Sequence, residues 1–446
     1  MATTPFGSTY STATSAVGRT ITRRSLFAAA GAGAVTAALA ACSNGTAAST
    51  ATGAKAAAIT FQIAGASPQV MALFNQTVLP AFAKKQPKIK VTLSNVSWAD
   101  AGTKLQTGAV AHTNPDLFVI GSTTQPALDK LHALKSLSSL SSGWDSMAQL
   151  NAAAVDNCKI NGVLQAIPFT LDVRGLIYNE AMLESAGVSE PPTTWDEFED
   201  AASKATQRSA GNVSVEGADF AIDDSYGLAQ TFYLLLREAG GELFSSDNST
   251  FAANSAEGKQ ALSYLASFYS KKYSSPNFKV VASSPPPIAL GQAAMEMNNI
   301  GAISVADPSI ASKLKFAAPL KASSSDKPVG LQFVNRIGMS ADTKNSDAAW
   351  DFLTFLFTPD ILAKWNKLLG QVPPLAEAAK LSPYTSGVYE QAAKNAQYAQ
   401  AIPAVTQSPK IMTEVTRLVG AAIYQQSSPA SALSQMETNV NALLKA

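Results

Sequence analysis

The sequence predicts an α/β fold built around a parallel sheet. From residue 59 onward, short β-rich runs alternate with patterns of helical periodicity, as expected when crossover helices join parallel strands. The run Asp116-Leu-Phe-Val-Ile is almost wholly apolar, which is typical of a strand buried on both faces. Hydrophobic residues make up 46% of the 446 residues and charged residues 15%, so most of the chain can bury a core.

The individual elements follow in order along the chain. The β-rich runs predict strands at residues 59–63, 88–93, 116–120, 164–168 and 175–178. Apolar periodicity predicts helices at residues 70–82, 195–208, 228–239, 348–357 and 414–425. The helix from Trp195 has the clearest start, because Thr193 or Thr194 can cap it and the acidic Asp196 and Glu197 in its first turn favour the helix dipole.

Charge and cysteine content exclude some classes of partner. Lys and Arg number 33 and Asp and Glu 32, a net charge of +1, so the basic excess that nucleic acid or an anionic membrane surface requires is missing. A neutral ligand fits this balance better. The two cysteines are Cys42 and Cys158. If Cys42 is modified as argued below, no disulfide can form within the chain, and Cys158 is expected to be a small buried hydrophobe.

The first 41 residues indicate an export signal. The pair Arg23-Arg24 precedes an apolar run of small residues that ends in Leu39-Ala-Ala-Cys42, the order typical of a twin-arginine signal. This run is shorter than the roughly 20 residues that span a bilayer. Its ending resembles the lipobox of bacterial lipoproteins, which implies cleavage before Cys42 and lipidation of its thiol. Residues 42–58 are small and polar and are expected to form a flexible tether. The alternative is an alanine-rich tail that contains a cysteine by chance.

Several motifs in the body of the chain resemble one family when they are taken in order. The strongest block runs from Asn161-Gly162 to Pro168, continues with Gly175-Leu-Ile-Tyr-Asn and Ala186-Gly187, and ends with Pro-Pro-Thr-Thr-Trp-Asp-Glu-Phe at residues 191–198. Further blocks lie at residues 107–116, 291–295, 337–353 and 370–373. Together they resemble the extracellular solute-binding proteins of the maltose-binding type, over roughly residues 59 to 430.

The resemblance implies a two-lobed, periplasmic-binding-protein-like α/β fold with discontinuous lobes and a hinged cleft. The N-terminal lobe would comprise residues 59–171 and 336–382, and the C-terminal lobe residues 172–335 and 383–446. Hinges are expected near residues 171–174, near residues 334–337 and near Leu381. The lobes would close on a small solute, mono- or oligosaccharide, and the closed form would contact the permease subunits of an ABC importer. The protein would be a monomer outside the cytoplasm, held on the cell membrane through Cys42.

The resemblance also implies candidate ligand contacts, at the positions that line the cleft in this family. Sugars need flat aromatic faces and fixed groups for hydroxyls, which these residue types supply. The candidate contacts are Ser67, Trp98, Ser122, Thr123, Asp172, Asp224, Tyr226, Asn298, Asn299 and Arg336. Asp172 could instead fix the hinge backbone, and Arg336 could pair with Asp172 in a purely structural bond. Because the run after Met297 lacks the tryptophan common in the family, the ligand is expected to be smaller than a long maltodextrin, or not a sugar.

Two other classes of function compete with solute binding. An exported glycosidase needs two carboxylates flanking a bond, but the neighbours Asp223 and Asp224 would point apart. Two histidines, His112 and His132, are too few for a zinc site, and no nucleophile elbow occurs. We therefore expect no catalytic residue, no metal and no cofactor. The remaining alternative is a lipoprotein that senses a ligand or acts as an adhesin without transport.

Overall fold

The computed structural model describes residues 56–220, 226–278 and 285–445, all of which lie in one compact unit. The predicted export signal, Cys42 and most of the tether fall outside the described residues. The first strand begins at Ala57, so the tether prediction was wrong at its end: residues 57 and 58 pair with Ile89 and Lys90 of the second strand.

Twelve strands occur in the described part of the chain. They are β1 (Ala57–Ala64), β2 (Ile89–Val96), β3 (Leu117–Ile120), β4 (Lys159–Ile160), β5 (Val163–Leu164), β6 (Ala166–Asn179), β7 (Gln207–Ser209), β8 (Asn212–Val215), β9 (Met295–Asn298), β10 (Leu314–Phe316), β11 (Gly330–Met339) and β12 (Ala399–Gln400). One sheet has the order β10-β6-β11-β3-β1-β2, with β9 also paired to β6 and β12 to β11.

Helices surround this sheet. They are α1 (Pro68–Leu73), α2 (Leu79–Lys85), α3 (Trp98–Ala111), α4 (Gln125–Lys130), α5 (Ser138–Ser141), α6 (Ala152–Asn157), α7 (Glu180–Ser185), α8 (Trp195–Ala205), α9 (Gly227–Glu238), α10 (Ala256–Ser270), α11 (Gly301–Ser304), α12 (Pro308–Ala311), α13 (Ser346–Leu356), α14 (Pro359–Leu369), α15 (Ala376–Ala379), α16 (Gly387–Asn395), α17 (Ser408–Ile423) and α18 (Pro429–Leu444). A π-helical turn (Phe74–Val78) joins α1 to α2, and 3₁₀ turns lie at Asp145–Gln149 and Pro287–Leu290. Among the described residues, none of these helices combines the length and apolarity that a membrane span requires.

Two long antiparallel strands, β6 and β11, cross from one part of the fold to the other. Their ladder runs from Leu331 opposite Arg174 to Gly338 opposite Ala166, with a bulge between Asn335 and Arg336. Beyond that ladder, the distal part of β6 pairs with β9 and β10 instead. The sequence predicted two separate strands, at 164–168 and 175–178, and this was wrong. The intervening residues are continuous because their backbone groups pair with β11.

The hydrophobic residues form two large cores on either side of this crossing, and we call the region built on the first core the N-terminal part and the region built on the second the C-terminal part. The first contains Phe61, Phe74 and Trp365 and packs α1, α13 and α14 on β1. The second contains Phe198 and Phe232 and packs α8, α9, α10, α17 and α18. Strand β6 contributes to both cores, because its adjacent residues Leu176 and Ile177 point to opposite faces. Leu176 enters the second core and Ile177 the first.

The other predicted elements match the structure with shifts at their ends. The strands predicted near residues 59, 88 and 116 are β1, β2 and β3, and β1 pairs with both others in parallel. The helix predicted over 195–208 ends at Ala205, since Gln207–Ser209 pairs with Asn212–Val215 instead. Its start is a capping box: Thr194 Oγ1 accepts from the Glu197 amide, and the Glu197 carboxylate accepts from the Thr194 amide. Cys158 is fully buried, as predicted, and burial raises the pKa of its thiol to about 11.

A buried acid in the second core gives the protein a testable pH dependence. The Trp195 indole stacks on Tyr264 at 4.3 Å and donates from Nε1 to Glu238 Oε2 at 2.6 Å. Burial raises the pKa of Glu238 from its ordinary value of 4.5 to about 8. Because the folded state then holds a proton that the unfolded state releases, stability falls as pH rises from the unfolded pKa towards the folded one, by up to about 1.4 kcal/mol per pH unit.

Glu238→Gln keeps an acceptor for Trp195 but cannot ionise. Urea unfolding is expected to show the variant gaining stability relative to the unmodified protein as the pH rises from about 5 to about 8. The exposed Glu184→Gln is the matched control and should leave the difference constant. A Glu238→Gln difference that does not change with pH would contradict the argument.

Candidate ligand-binding site

The C-terminal ends of the parallel strands β1 and β3 meet at one edge of the sheet, where the chain turns. At the end of β1, Gly65 has φ +65°, and a Cβ there would lie 2.2 Å from Trp98 Nε1. The indole therefore lies directly on the glycine backbone, a position that a larger residue would prevent. Trp98 opens α3 and remains 45% exposed. A Cβ at Gly121, after β3, would lie 4.0 Å from the same ring and 3.8 Å from Asn335 Oδ1.

A network of planar polar side chains occupies the crossing of β6 with β9 and β11. Arg174 donates from Nη2 to Asp172 Oδ2 at 3.1 Å and from Nη1 to Asn298 Oδ1 at 2.6 Å. Asn299 donates from Nδ2 to the other oxygen of Asp172, Oδ1, at 2.7 Å. The guanidinium also lies over the Phe333 ring, 5.5 Å from its centroid. The side chain of Asp172 is 8% exposed and that of Arg174 21% exposed, so the network is mostly but not wholly withdrawn from solvent.

Three buried carboxyls lie beneath this network in the C-terminal part. Asn298 Nδ2 donates to Glu296 Oε1 at 2.6 Å, which fixes the amide so that its oxygen faces Arg174. Burial, and next the charge of Asp219, raise the pKa of Glu296 and bring the pKa of Glu216 to about 10. Glu216 is therefore protonated near neutrality, and the same two causes favour the uncharged form of Glu296. No group of acids, histidines or cysteines in the described residues could hold a metal ion.

A pocket of about 300 Å³ lies beside the network, between the turn after β1 and the segment after β9. It is lined by Gly65, Ser67, Pro286, Asn298, Gly301, Ala302, Ser304, Val305, Leu368 and Leu369. Two glycines let the end of α14 approach the segment after β9 closely, since a Cβ at Gly370, which has φ +62°, would lie 2.2 Å from the Gly301 Cα. The pocket thus combines polar groups with an apolar wall, as small-molecule sites do.

The structure links three of the predicted ligand contacts through hydrogen bonds, because Asn299 donates from its side chain to Asp172 and from its backbone amide to Asn298. Ser67 lines the same pocket as Asn298, and its Oγ accepts from the Val70 amide at 3.3 Å as the cap of α1. Trp98 touches Gly65 at the rim of that pocket.

Other predicted contacts are placed differently. Ser122 is buried at 4% exposure after β3, next to the half-buried Thr123. Tyr226 is half-buried against the second core at the start of α9. Asp224 lies outside the described residues.

Arg336 is withdrawn from the cleft. It is 1% exposed and donates to Gln125 Oε1 and to both the backbone and side-chain oxygens of Asn157. The alternative that it pairs with Asp172 was wrong, because Asp172 is held by Arg174 and Asn299. The bulge at Asn335/Arg336 explains this placement, since it turns the guanidinium back into the N-terminal part.

Arg174 is the member of the network that sequence reasoning missed as a ligand residue. A signal was present in the strand period: residues two apart on a strand share a face, so Arg174 shares a face with Asp172. The register of β9, which sets Gly175 opposite Asn298, then brings the amide within reach of the guanidinium.

Comparison with known proteins decides the family. The profile of the family described as bacterial extracellular solute-binding protein matches residues 77–399. The chain belongs to this family. Diacetylchitobiose binding protein DasA of Streptomyces coelicolor is 27% identical to this solute-binding protein over 389 residues, which cover 80% of the chain and 83% of DasA. A binding protein of Brucella abortus is 23% identical over 388 residues, covering 83% of the chain and 89% of that relative.

Solved structures show the same fold. An ABC transporter solute-binding protein of Thermotoga lettingae, bound with α-D-tagatose, has a TM-score of 0.77 at 24% identity, covering 88% of the chain and 100% of that structure. Maltose-bound MalE3 of T. maritima has a TM-score of 0.75 at 21% identity, covering 87% and 100%. The predictions of a two-lobed α/β fold and of a solute-binding protein are thereby confirmed.

Proposed function

We propose that this solute-binding protein captures a small neutral sugar in the cleft beside β6 and β11 and delivers it to the permease subunits of an ABC importer. The observation that carries the proposal is the network of Asp172, Arg174, Asn298 and Asn299. It presents carboxylate, guanidinium and amide groups in fixed orientations, which suits ring hydroxyls that both donate and accept. Relatives whose names specify a ligand bind diacetylchitobiose, tagatose or maltose, and this supports a carbohydrate.

The network keeps hydrogen-bonding capacity for a ligand. A carboxylate has about four acceptor positions, and Asp172 uses one on each oxygen, for Arg174 and for Asn299. The exposed ring of Trp98 supplies a flat apolar face at the pocket rim. A pocket of about 300 Å³ suits a mono- or disaccharide better than a long chain, in keeping with the smaller ligand that the sequence suggested.

The two lobes and the membrane anchor are part of the same proposal. We assign residues 59–171 with 336–382 to one lobe and residues 172–335 with 383–446 to the other, so that β6 and β11 cross between them. A ligand that touches Asp172 on the crossing strand and Ser67 on the rim favours closure, because it makes both contacts only in the closed state. Outside the cytoplasm, lipidation of Cys42 after twin-arginine export would hold the protein on the membrane.

The proposal is tested by thermal shift against a panel of sugars, followed by titration calorimetry with the sugar that stabilises most. Trp98→Ala is expected to weaken binding of that sugar about tenfold, because an aromatic face contributes about 1.4 kcal/mol to a stacked ring. Val110→Ala, at the far end of α3 and 72% exposed, is the matched control and should bind normally.

The sugar should also be recovered unchanged after incubation. Failure of every sugar to raise the melting temperature, or hydrolysis of the bound sugar, would refute sugar binding as the function. Equal sugar affinity of Trp98→Ala and the unmodified protein would show that the Trp98 ring does not contact the sugar.

A further inference from the structure

A second concave surface, which we name the α3 groove, lies between α3 and the sheet of the N-terminal part. It has a volume of about 570 Å³, and the residues that line it include Gln62, Asp100, Thr103, Lys104, Thr107 and Asn114. Four of these residues share one face of α3, since Asp100, Thr103, Lys104 and Thr107 are spaced three and four apart. The groove shares no lining residue with the pocket beside the Asp172 network.

Two amide groups in the α3 groove have a donor without a protein partner. Gln62 of β1 is 7% exposed, and its buried Nε2 has no hydrogen-bond partner among the described residues. The same holds for the buried Nδ2 of Asn114. Asn114 is seated against Gly108, where a Cβ would lie 2.2 Å from Asn114 Oδ1, so the helix provides a glycine to accommodate this amide. Because an unpaired buried donor costs about 1–3 kcal/mol, these amides favour an acceptor that enters the groove.

The other side chains that line the groove indicate which class of ligand could supply that acceptor. Lys104 forms no ion pair within the described part of the chain, and it faces the groove together with Asp100, so the local charges cancel. Thr107 Oγ1 donates to the Thr103 carbonyl at 2.9 Å and keeps its acceptor positions. The groove therefore offers both donors and acceptors, and the opposite charges of Lys104 and Asp100 leave it without a net charge. A carboxylate ligand would be repelled by Asp100, and a cationic ligand would be repelled by Lys104. A hydroxyl group can both donate and accept, so it suits the groove.

We propose that the α3 groove is a second binding site, for a neutral polyhydroxylated small molecule such as a sugar or a polyol. The groove runs to the edge opposite the cleft, because Asn114 precedes the N-terminal end of β3 whereas Gly121 follows its C-terminal end. Its occupancy does not depend on ligand binding at Asp172, and the inference goes beyond the proposed transport function.

The experiment measures protection of the exposed Lys104 from acetylation in the full chain, by peptide mass spectrometry, with maltose or glycerol as probe. We expect millimolar maltose to slow acetylation of Lys104 about threefold, equivalent to about two-thirds occupancy. The exposed Lys410 on α17 is the internal control and should react at an unchanged rate. Protection by glycerol alone would identify the ligand as a polyol, which supports the proposed class equally.

Two variants test whether the ligand that protects Lys104 from acetylation binds in the α3 groove or in the cleft. Gln62→Met preserves side-chain volume while removing the unpartnered amide, so it should fold normally and lose the protection. Asp172→Asn, which acts on the cleft, should retain it. Unchanged Lys104 reactivity with both probes would overturn the proposal, as would equal protection in Gln62→Met. Loss of protection in Asp172→Asn would show that the effect originates in the cleft and would also overturn a separate site.

Discussion

Asp172→Asn is expected to weaken sugar binding by about 10- to 100-fold in titration calorimetry. The substitution replaces an acceptor oxygen by an NH₂ group and removes the charge that orients Arg174 at 3.1 Å. Hydrogen bonds to a charged group contribute about 1.5–3 kcal/mol, which corresponds to this range of affinity. The loss of affinity should appear as a faster dissociation rate with an unchanged association rate. The carboxylate is buried at the crossing and therefore does not steer the ligand from solution.

The matched control for this prediction is Asp145→Asn, an exposed acid of the N-terminal part. It should leave the affinity unchanged. Urea unfolding of both variants separates a binding effect from a loss of fold. An Asp172→Asn affinity within about threefold of the original, a difference well under 1 kcal/mol, would mean that the network does not contact the ligand.

Trp365→Ala is expected to cost about 3–5 kcal/mol of unfolding free energy. Trp365 is fully buried in α14, stacks on Phe169 of β6 at 4.3 Å and meets the edge of Phe74 at 4.9 Å. Its removal leaves a cavity among three rings, Phe61 of β1, Phe74 of the π-helical turn and Phe169 of β6, which cannot all move inward. Urea denaturation should show the midpoint falling without a change in slope.

Trp350→Ala on the neighbouring α13 is the control, because that ring is only half-buried against Trp144 at 5.5 Å. The loss of unfolding free energy in Trp350→Ala should be clearly smaller than that in Trp365→Ala. Equal losses for the two variants would show that burial of Trp365 does not determine the stability of this core.

The local elements could be predicted from sequence because their signals are local. The strand β1, the helix that starts at Trp195 and the burial of Cys158 all follow from periodicity, capping or residue type. The continuity of β6 could not be predicted, because Pro168 and the charged Asp172 and Arg174 interrupt the apolar pattern. Only pairing with β11 keeps those residues extended.

The candidate site also has residues whose placement could be predicted from sequence and one, Arg336, whose placement could not. Asp172, Asn298 and Asn299 could be proposed from the family resemblance, which places them at a hinge and after a strand, and the structure brings them together. The burial of Arg336 depends on a bulge, and its partners Gln125 and Asn157 lie about 180 or more positions away in the chain. Interactions of that kind depend on strand register and on how α4 and α6 pack against β11, which a single sequence does not specify.

The hydrogen-bonded ladder between β6 and β11 also restricts how the molecule can move. Two bodies joined by slack loops could swing freely, but a hydrogen-bonded ribbon transmits torsion, so opening must be absorbed as a change in ribbon twist. The bulge between Asn335 and Arg336 is where the ladder is already broken and where that twist can change at least cost. Amide exchange along residues 331–334 should accordingly stay slow in empty and loaded protein alike.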